Sequence, residues 1–299
     1  MKIWIMMYPP VSIVIATYNR ANRIKKCIDT LLCLDYPEYE IIIVDDGSSD
    51  NTENILMNYK NKYRNKIKVV THEHNRGWAA GKNSGIRISK YDIIALIDDD
   101  IIVEKNWLTH LVSMLLKNIK NRVAAVTSVG IYAGHSICYL KNIMIRAGLF
   151  DERFVRNLRQ DTDLAFRIFD IGYKIIYIPE VKFTHDHPNP KTNLQKFNFI
   201  KNRILVHQMD VLLFKKNPER TKKFLNVKFR FASPLDDFKR ATGLWCKRGK
   251  FELGSPEGIT IIHKTPLNIP IIFLGGILYA IFIKLTHLYA SIKYDTFLI

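Results

Sequence analysis

At 299 residues and 47% hydrophobic content, the chain is long enough and apolar enough for one large core with an appendage. Its four cysteines (Cys27, Cys33, Cys138, Cys246) show neither a CxxC pair nor the framework of a small secreted domain, so a reducing, cytoplasmic setting is expected. The net charge of +17 is uneven, with 26 Lys and Arg against 21 Asp and Glu in residues 1–190 and 19 against 7 in residues 191–299, which directs the second part toward an anionic partner.

Residues 1–10 hold one lysine and a few apolar side chains before two prolines, without the apolar stretch or cleavage site of a secretory signal, and none is expected. From Val11 onward, short β-branched runs alternate with segments of helical periodicity. Val11 to Ala16, Ile41 to Val44, Ile67 to Thr71 and Ile93 to Ile97 are nearly all apolar, the pattern of strands buried on both faces. Between them, Ile24, Cys27, Ile28 and Leu31, then Ile55, Leu56 and Tyr59, then Trp107, Leu108, Leu111 and Leu115 recur at helical spacing. Such alternation predicts an α/β fold with a doubly wound, mainly parallel sheet.

In such a sheet the residues following each strand meet at one edge. Here they are Thr17-Tyr18-Asn19-Arg20, Asp45-Asp46-Gly47-Ser48-Ser49-Asp50 and Asp98-Asp99-Asp100, so five carboxylates (Asp45, Asp46, Asp98, Asp99, Asp100) converge. Clustered carboxylates repel unless a cation neutralises them, and a hard divalent ion accepts oxygen ligands while keeping positions for a substrate phosphate. Mn²⁺ or Mg²⁺ is the expected cofactor. The plainer alternatives are an N-cap turn at Asp45–Asp50 and a solvated loop at Asp98–Asp100. His72 and His74 lack a third ligand at useful spacing and are read as loop.

After about residue 190 the alternation stops, and Lys196 to Lys250 is basic and aromatic-rich with helical patches. Its Lys/Arg runs carry no recognised nucleic-acid motif, so no nucleic acid is expected and a membrane surface fits better. Ile269 to Ile283 is an uncharged stretch that rises about 22 Å as a helix, short of the roughly 30 Å hydrocarbon core. The expected organisation is a catalytic domain over residues 1–190, a basic, mainly helical extension over 191–267 and a hydrophobic membrane-associating segment over 268–299. Extended to Ile292, the stretch from Ile269 reaches 24 residues, enough to span if Lys284 snorkels. Association at the cytoplasmic face of a membrane, peripheral or anchored, follows as an expectation, with burial of the last segment as the alternative.

The ordered motifs resemble glycosyltransferase family 2 across about residues 10 to 190. The matching pieces are Val11 to Arg20, Ile43 to Asp50, Asn75 and Gly77 with Asn83 and Gly85, Asp98 to Asp100, Leu149-Phe150-Asp151-Glu152 and Asp161-Thr162-Asp163-Leu164. The resemblance implies the Rossmann-like GT-A fold, a nucleoside-diphosphate sugar donor, most readily a UDP-sugar, and inverting transfer to an acceptor hydroxyl. By it, Thr17, Tyr18 and Asp46 hold the nucleobase, Asp98 the ribose and Asp100 the metal, with Asn19, Asn75 and Asp99 in the same donor-binding set. His185 is a metal or diphosphate contact, with His187 two residues on. Lys82 stands where the family commonly carries Arg and can still neutralise a phosphate as a point charge. Asp161 takes the place of the catalytic base, opening a helix whose Leu164, Ala165 and Ile168 face inward, and Gln160 replaces the family's usual Glu before it. Without the resemblance, Asp161 and Asp163 read as complements to a helix dipole.

Asn202 and Arg203 resemble a stretch that follows the catalytic domain in non-processive members, and the Gln-x-x-Arg-Trp pattern of polymer synthases is absent. Addition of a single sugar to a saccharide or lipid-linked acceptor is therefore expected. A sugar-phosphate nucleotidyltransferase would need a glycine-rich loop after the first strand, where Thr17-Tyr18-Asn19-Arg20 stands. A non-catalytic nucleotide-sugar-binding module would not need Asp100 and Asp161.

Overall fold

The computed structural model describes residues 8–155, 158–186, 193–225, 250–253, 260–263 and 269–296. The chain divides into two compact units, residues 1–187 and 188–299.

In the first unit, β1 (Val11–Thr17), β2 (Tyr39–Asp45), β3 (Ile67–Thr71) and β4 (Ile93–Ile97) coincide with the four predicted runs to within two residues at each end. They join β6 (Val123–Thr127), β7 (Ser136–Leu140) and β8 (Lys174–Tyr177) in a seven-stranded sheet of order β3-β2-β1-β4-β7-β6-β8. All neighbours are parallel except β7, which runs antiparallel to both β4 and β6. The strand order reverses between β1 and β4, which opens a crevice beyond their carboxyl ends.

Alternation along the strands fills both faces. Ile13, Ile15, Ile41, Ile43, Ala95 and Ile97 pack on one side against α1 (Ile24–Leu32) and α4 (Trp107–Asn118). Val14, Ile42, Val44, Ile94 and Leu96 pack on the other against α3 (Trp78–Ile88) and α6 (Gln160–Asp170). The predicted inward positions of α1 are its buried ones, as are Leu164, Ala165 and Ile168 of α6. Helix α3 lies close on β1 because Gly81 and Gly85 have no side chain. A Cβ on Gly81 would stand 2.8 Å from that of Ala16, and one on Gly85 2.4 Å from Val14 Cγ1.

In the second unit, α7 (Asn193–Lys216) runs into α8 (Pro218–Phe224), where Asn217 caps α8 by accepting from the Arg220 amide at 3.2 Å. A hairpin of β10 (Lys250–Leu253) and β11 (Thr260–His263) is followed by α9 (Ile269–Lys293). Helix α9 packs on α7 through Val211, Phe214 and Ala290, and Lys215 Nζ donates to the carbonyls of Tyr294 and Asp295 at its end. Asn202 and Arg203 fall on α7, but their side chains lie outside the described residues, as do His187 and the lysines and arginines from Lys228 to Arg248.

Candidate functional site

Thr17, the last residue of β1, lies in register with Asp45, the last of β2, so their followers emerge side by side. Asn19 sits at φ 52°, and its side chain accepts from the amides of Ser49 at 2.8 Å and Asp50 at 3.3 Å, tying the two strand ends together. Tyr18 beside it is 41% exposed. Gly47 adopts φ 75°, and a Cβ there would stand 2.7 Å from the His74 backbone, so this turn and the loop after β3 touch. Asn75 is exposed in that loop.

Asp46 is buried and organises that loop. Its carboxylate accepts from the Arg76 amide at 2.9 Å and the Gly77 amide at 2.7 Å, and stands 2.7 Å from His72 Nδ1. His72 Nε2 lies 3.0 Å from Ser84 Oγ on α3. His72, read from sequence as plain loop, is thus a positioning residue for Asp46, whereas His74 beside it is exposed. Strand alternation would put both on one side; they differ because β3 ends at Thr71 and the chain bends at Glu73 and His74.

The Asp98-Asp99-Asp100 segment turns across the top of the reversal point, with all three side chains buried. Asp99 accepts from Thr17 Oγ1 at 2.7 Å and has Arg20 Nε at 3.5 Å. Burial pushes the Asp99 carboxyl up to about 7, opposed by the Arg20 charge and the Thr17 bond and reinforced by Asp100 and Asp98. After Asp100 the chain forms β5 (Ile101–Val103), which pairs antiparallel with β9 (Phe183–His185) in the register Ile101 to His185. That register brings His185 Nε2 to 3.1 Å from Asp100 Oδ1. Two residues 85 apart in sequence, both expected at the metal, are therefore in contact. His135, which no sequence signal marked, stacks on His185 with ring centroids 5.6 Å apart.

Lys82, on α3, is fully buried, with Nζ 3.4 Å from Asp98 Oδ1 and donating to the Gly134 carbonyl at 3.2 Å. Asp161, at the start of α6, approaches the same glycine, where a Cβ would stand 2.0 Å from its Oδ1. Burial raises the Asp161 carboxyl above its ordinary range and Asp98 adds to the rise, while the Lys82 and His135 charges and a Gly134 backbone bond oppose it. Burial acts against the Lys82 ammonium, but Asp98, Asp161 and Asp99 outweigh it and hold the charge. Asp163 has a different task. It pairs with Arg167 at 2.7 Å, and Arg167 binds the carbonyls of Ala147 and Leu149. Asn83 clamps the Leu149 to Glu152 motif, donating to the Phe150 carbonyl at 2.9 Å and accepting from its amide at 3.0 Å.

Several carboxylate oxygens in this crevice are sealed from water without a hydrogen bond: Asp98 Oδ1, Asp99 Oδ1 and Asp161 Oδ1. The Lys82 contact to Asp98 is an ion pair without hydrogen-bond geometry. Buried oxygens of this kind are costly alone and are natural ligands for a cation or for hydroxyl donors. Among the described residues no group of three or more His, Cys, Asp or Glu side chains encloses a metal by itself. Asp100 and His185 form a two-ligand edge, which suits an ion completing its shell with phosphate oxygens and water.

A family model described as "Glycosyl transferase family 2" matches residues 12–171. The chain is 35% identical over 117 residues to the poly-β-1,6-N-acetyl-D-glucosamine synthase of Staphylococcus epidermidis, covering 39% of this chain and 27% of that protein. It is 34% identical over 109 residues to glycosyltransferase AglE of Haloferax volcanii, covering 36% of each. The matched segment thus spans well under half of either relative. Among solved structures it is similar to the mannosyltransferase PcManGT from Pyrobaculum calidifontis in complex with GDP-Man and Mn²⁺, with a TM-score of 0.63 at 19% identity over 96% of this chain and 87% of that one. It is also similar to S. aureus TarS 1-349 in complex with UDP-GlcNAc, with a TM-score of 0.52 at 17% identity over 69% and 66%. At these identities the likeness is one of fold, and that fold is GT-A.

Proposed function

The chain belongs to glycosyltransferase family 2, and from that premise we propose that it moves a single sugar, with inversion, from a nucleoside-diphosphate sugar to an acceptor hydroxyl. The observation that carries this reading is the meeting of Asp98, Asp100, Asp161 and Lys82 at the point where the strand order reverses. Tyr18 is exposed beside Asp46, a surface and an acceptor for a base, with Thr17, Asn19 and Asn75 framing the same end of the crevice. Asp98 and Asp99 take the ribose side. A UDP-sugar is the donor we favour, in keeping with the UDP-GlcNAc bound by one structural neighbour.

Mn²⁺ or Mg²⁺ would be held by Asp100 with His185 and supplies charge neutralisation for the diphosphate. Lys82 adds a fixed positive charge beside Asp98. Asp161 then takes the proton of the acceptor hydroxyl as that oxygen bonds to the anomeric carbon. The bond from that carbon to the phosphate oxygen breaks, and the nucleoside diphosphate keeps the electron pair. The raised Asp161 carboxyl strengthens it as a base. The acceptor is a saccharide or lipid-linked hydroxyl, and the basic second unit holds the enzyme at the cytoplasmic face of a membrane.

The test is release of nucleoside diphosphate from a panel of nucleotide sugars, with and without Mn²⁺ and lipid-linked acceptor. Metal-dependent release of the diphosphate is expected. Release of pyrophosphate would instead identify a nucleotidyltransferase.

A further inference from the structure

Among the described residues of helix α9, one face is covered and the opposite, apolar face is exposed. Ile283, Thr286, His287 and Ala290 are buried, with Ala290 packed among Val211 and Phe214 and His287 set edge-on to His207 of α7. On the opposite side Leu274, Leu278, Ile281, Leu285, Leu288 and Ile292 are each between 53% and 75% exposed. With Ile277, Phe282 and Tyr289 beside them, they subtend an arc of about 140° at 3.6 residues per turn, centred opposite the buried face. Lys284 borders one side of the arc and Lys293 the other.

We propose that α9 lies in the plane of an anionic lipid surface, with this arc sunk among the acyl chains and Lys284 and Lys293 reaching back to the headgroups. The inference rests on the membrane association proposed above and names the residues and the orientation. The helix does not stand across the bilayer, because α7, packed along one side of it, would carry His207 and Asp210 into the hydrocarbon. The usual polar face of an interfacial helix is replaced here by the protein beneath it. Long cationic side chains at the borders of an apolar stripe snorkel in this way.

A second copy of the chain fits the arc less well. The six residues follow 4-3-4-3-4 spacing, as a coiled-coil seam would, but such a seam is a narrow stripe of two positions in seven. This arc is wider, and of the e and g positions flanking such a seam only Lys284 is charged. Residues 191–299 carry 19 Lys and Arg against 7 Asp and Glu, which repels a copy and attracts an anionic headgroup layer.

The full chain is sedimented with vesicles of phosphatidylcholine alone or with three parts in ten phosphatidylglycerol. Wild type should bind the anionic vesicles, and the double variant Ile281→Glu, Leu285→Glu should lose at least about tenfold in partition while still releasing nucleoside diphosphate from its donor. Binding by wild type with no loss in the variant overturns the arc and leaves membrane association standing. If wild type ignores both vesicles, both ideas fail. A wild-type dimer in ultracentrifugation that the double variant converts to monomer would give the arc to a second copy and overturn the proposal. Should the double variant misfold, Leu288→Trp decides. Its fluorescence should be quenched by lipids brominated at shallow acyl positions beyond the quenching seen in wild type, and no added quenching refutes insertion.

Discussion

A carboxylate sealed from water beside a buried lysine is the most telling feature at the scale of single residues. Asp161 must be ionised to accept a proton, and burial raises its carboxyl, so turnover should fall as pH drops through a value above the ordinary 3.9 or so of Asp. Lys82 opposes that rise, so Lys82→Met should move the acid limb of the kcat profile to higher pH, and an unmoved limb would uncouple the two groups. Asp161→Asn keeps the shape but removes the acceptor of the proton. It should reduce transfer at least about a hundredfold with donor affinity near wild type, as single-turnover kinetics and calorimetry would report. Asp100→Ala acts on the other step. It leaves His185 as the lone ligand of that edge and should abolish Mn²⁺-dependent donor binding, whereas unchanged affinity in calorimetry with Mn²⁺ would remove Asp100 from the metal. The residues that sequence left unmarked share one property. His135 reaches the site by stacking on a residue 50 positions away, and His72 by a bond to Asp46 across two strands. Neither relation has any trace in local spacing.

Elements were legible in proportion to how fully their pattern is dictated by burial. Strands β1, β2 and β4 are covered on both faces, and their apolar runs mark them, whereas β3, expected to be buried on both faces, is an edge strand with Lys68 and Thr71 exposed. Strand β6, Val-Ala-Ala-Val-Thr, is as deeply buried, but its alanines carry no strand preference, and β9 is three residues whose identity depends on pairing with β5. The antiparallel β7 was not foreseen, because direction is a property of the path between strands and not of the strand's composition. Closeness of α3 to the sheet was not foreseen: Gly85 was marked only as part of a motif and Gly81 not at all. The structure supplies the reason: Gly85 faces Val14 across a gap with no room for a methyl group. Gly85→Ala should therefore strain the β1 to α3 contact and destabilise the first unit by about 1–3 kcal/mol, the usual cost of overpacking. Urea unfolding followed by fluorescence would measure it. A variant as stable as wild type would show that Val14 can rotate away.

At the scale of the whole molecule, the two units divide the charge as they divide the fold. Residues 1–190 hold 26 Lys and Arg against 21 Asp and Glu, and five of those carboxylates, Asp45, Asp46, Asp98, Asp99 and Asp100, stand where β2 and β4 end. Residues 191–299 hold 19 against 7, and the uncovered arc of α9 lies in this part. A crevice of buried carboxylates is governed by close contacts that salt screens weakly, whereas scattered surface lysines act over a Debye length that shrinks from about 10 Å at 0.1 M salt to about 3 Å at 1 M. Each Lys or Arg near an anionic surface contributes about 1 kcal/mol in moderate salt. Association with vesicles containing phosphatidylglycerol should accordingly weaken at least about tenfold between 0.1 and 1 M NaCl, leaving the residual affinity that the apolar arc provides. Donor hydrolysis without vesicles should change far less across the same range. Vesicle binding that ignores salt while hydrolysis collapses would mean that the positive charge of the second part serves the donor's phosphates instead of a membrane.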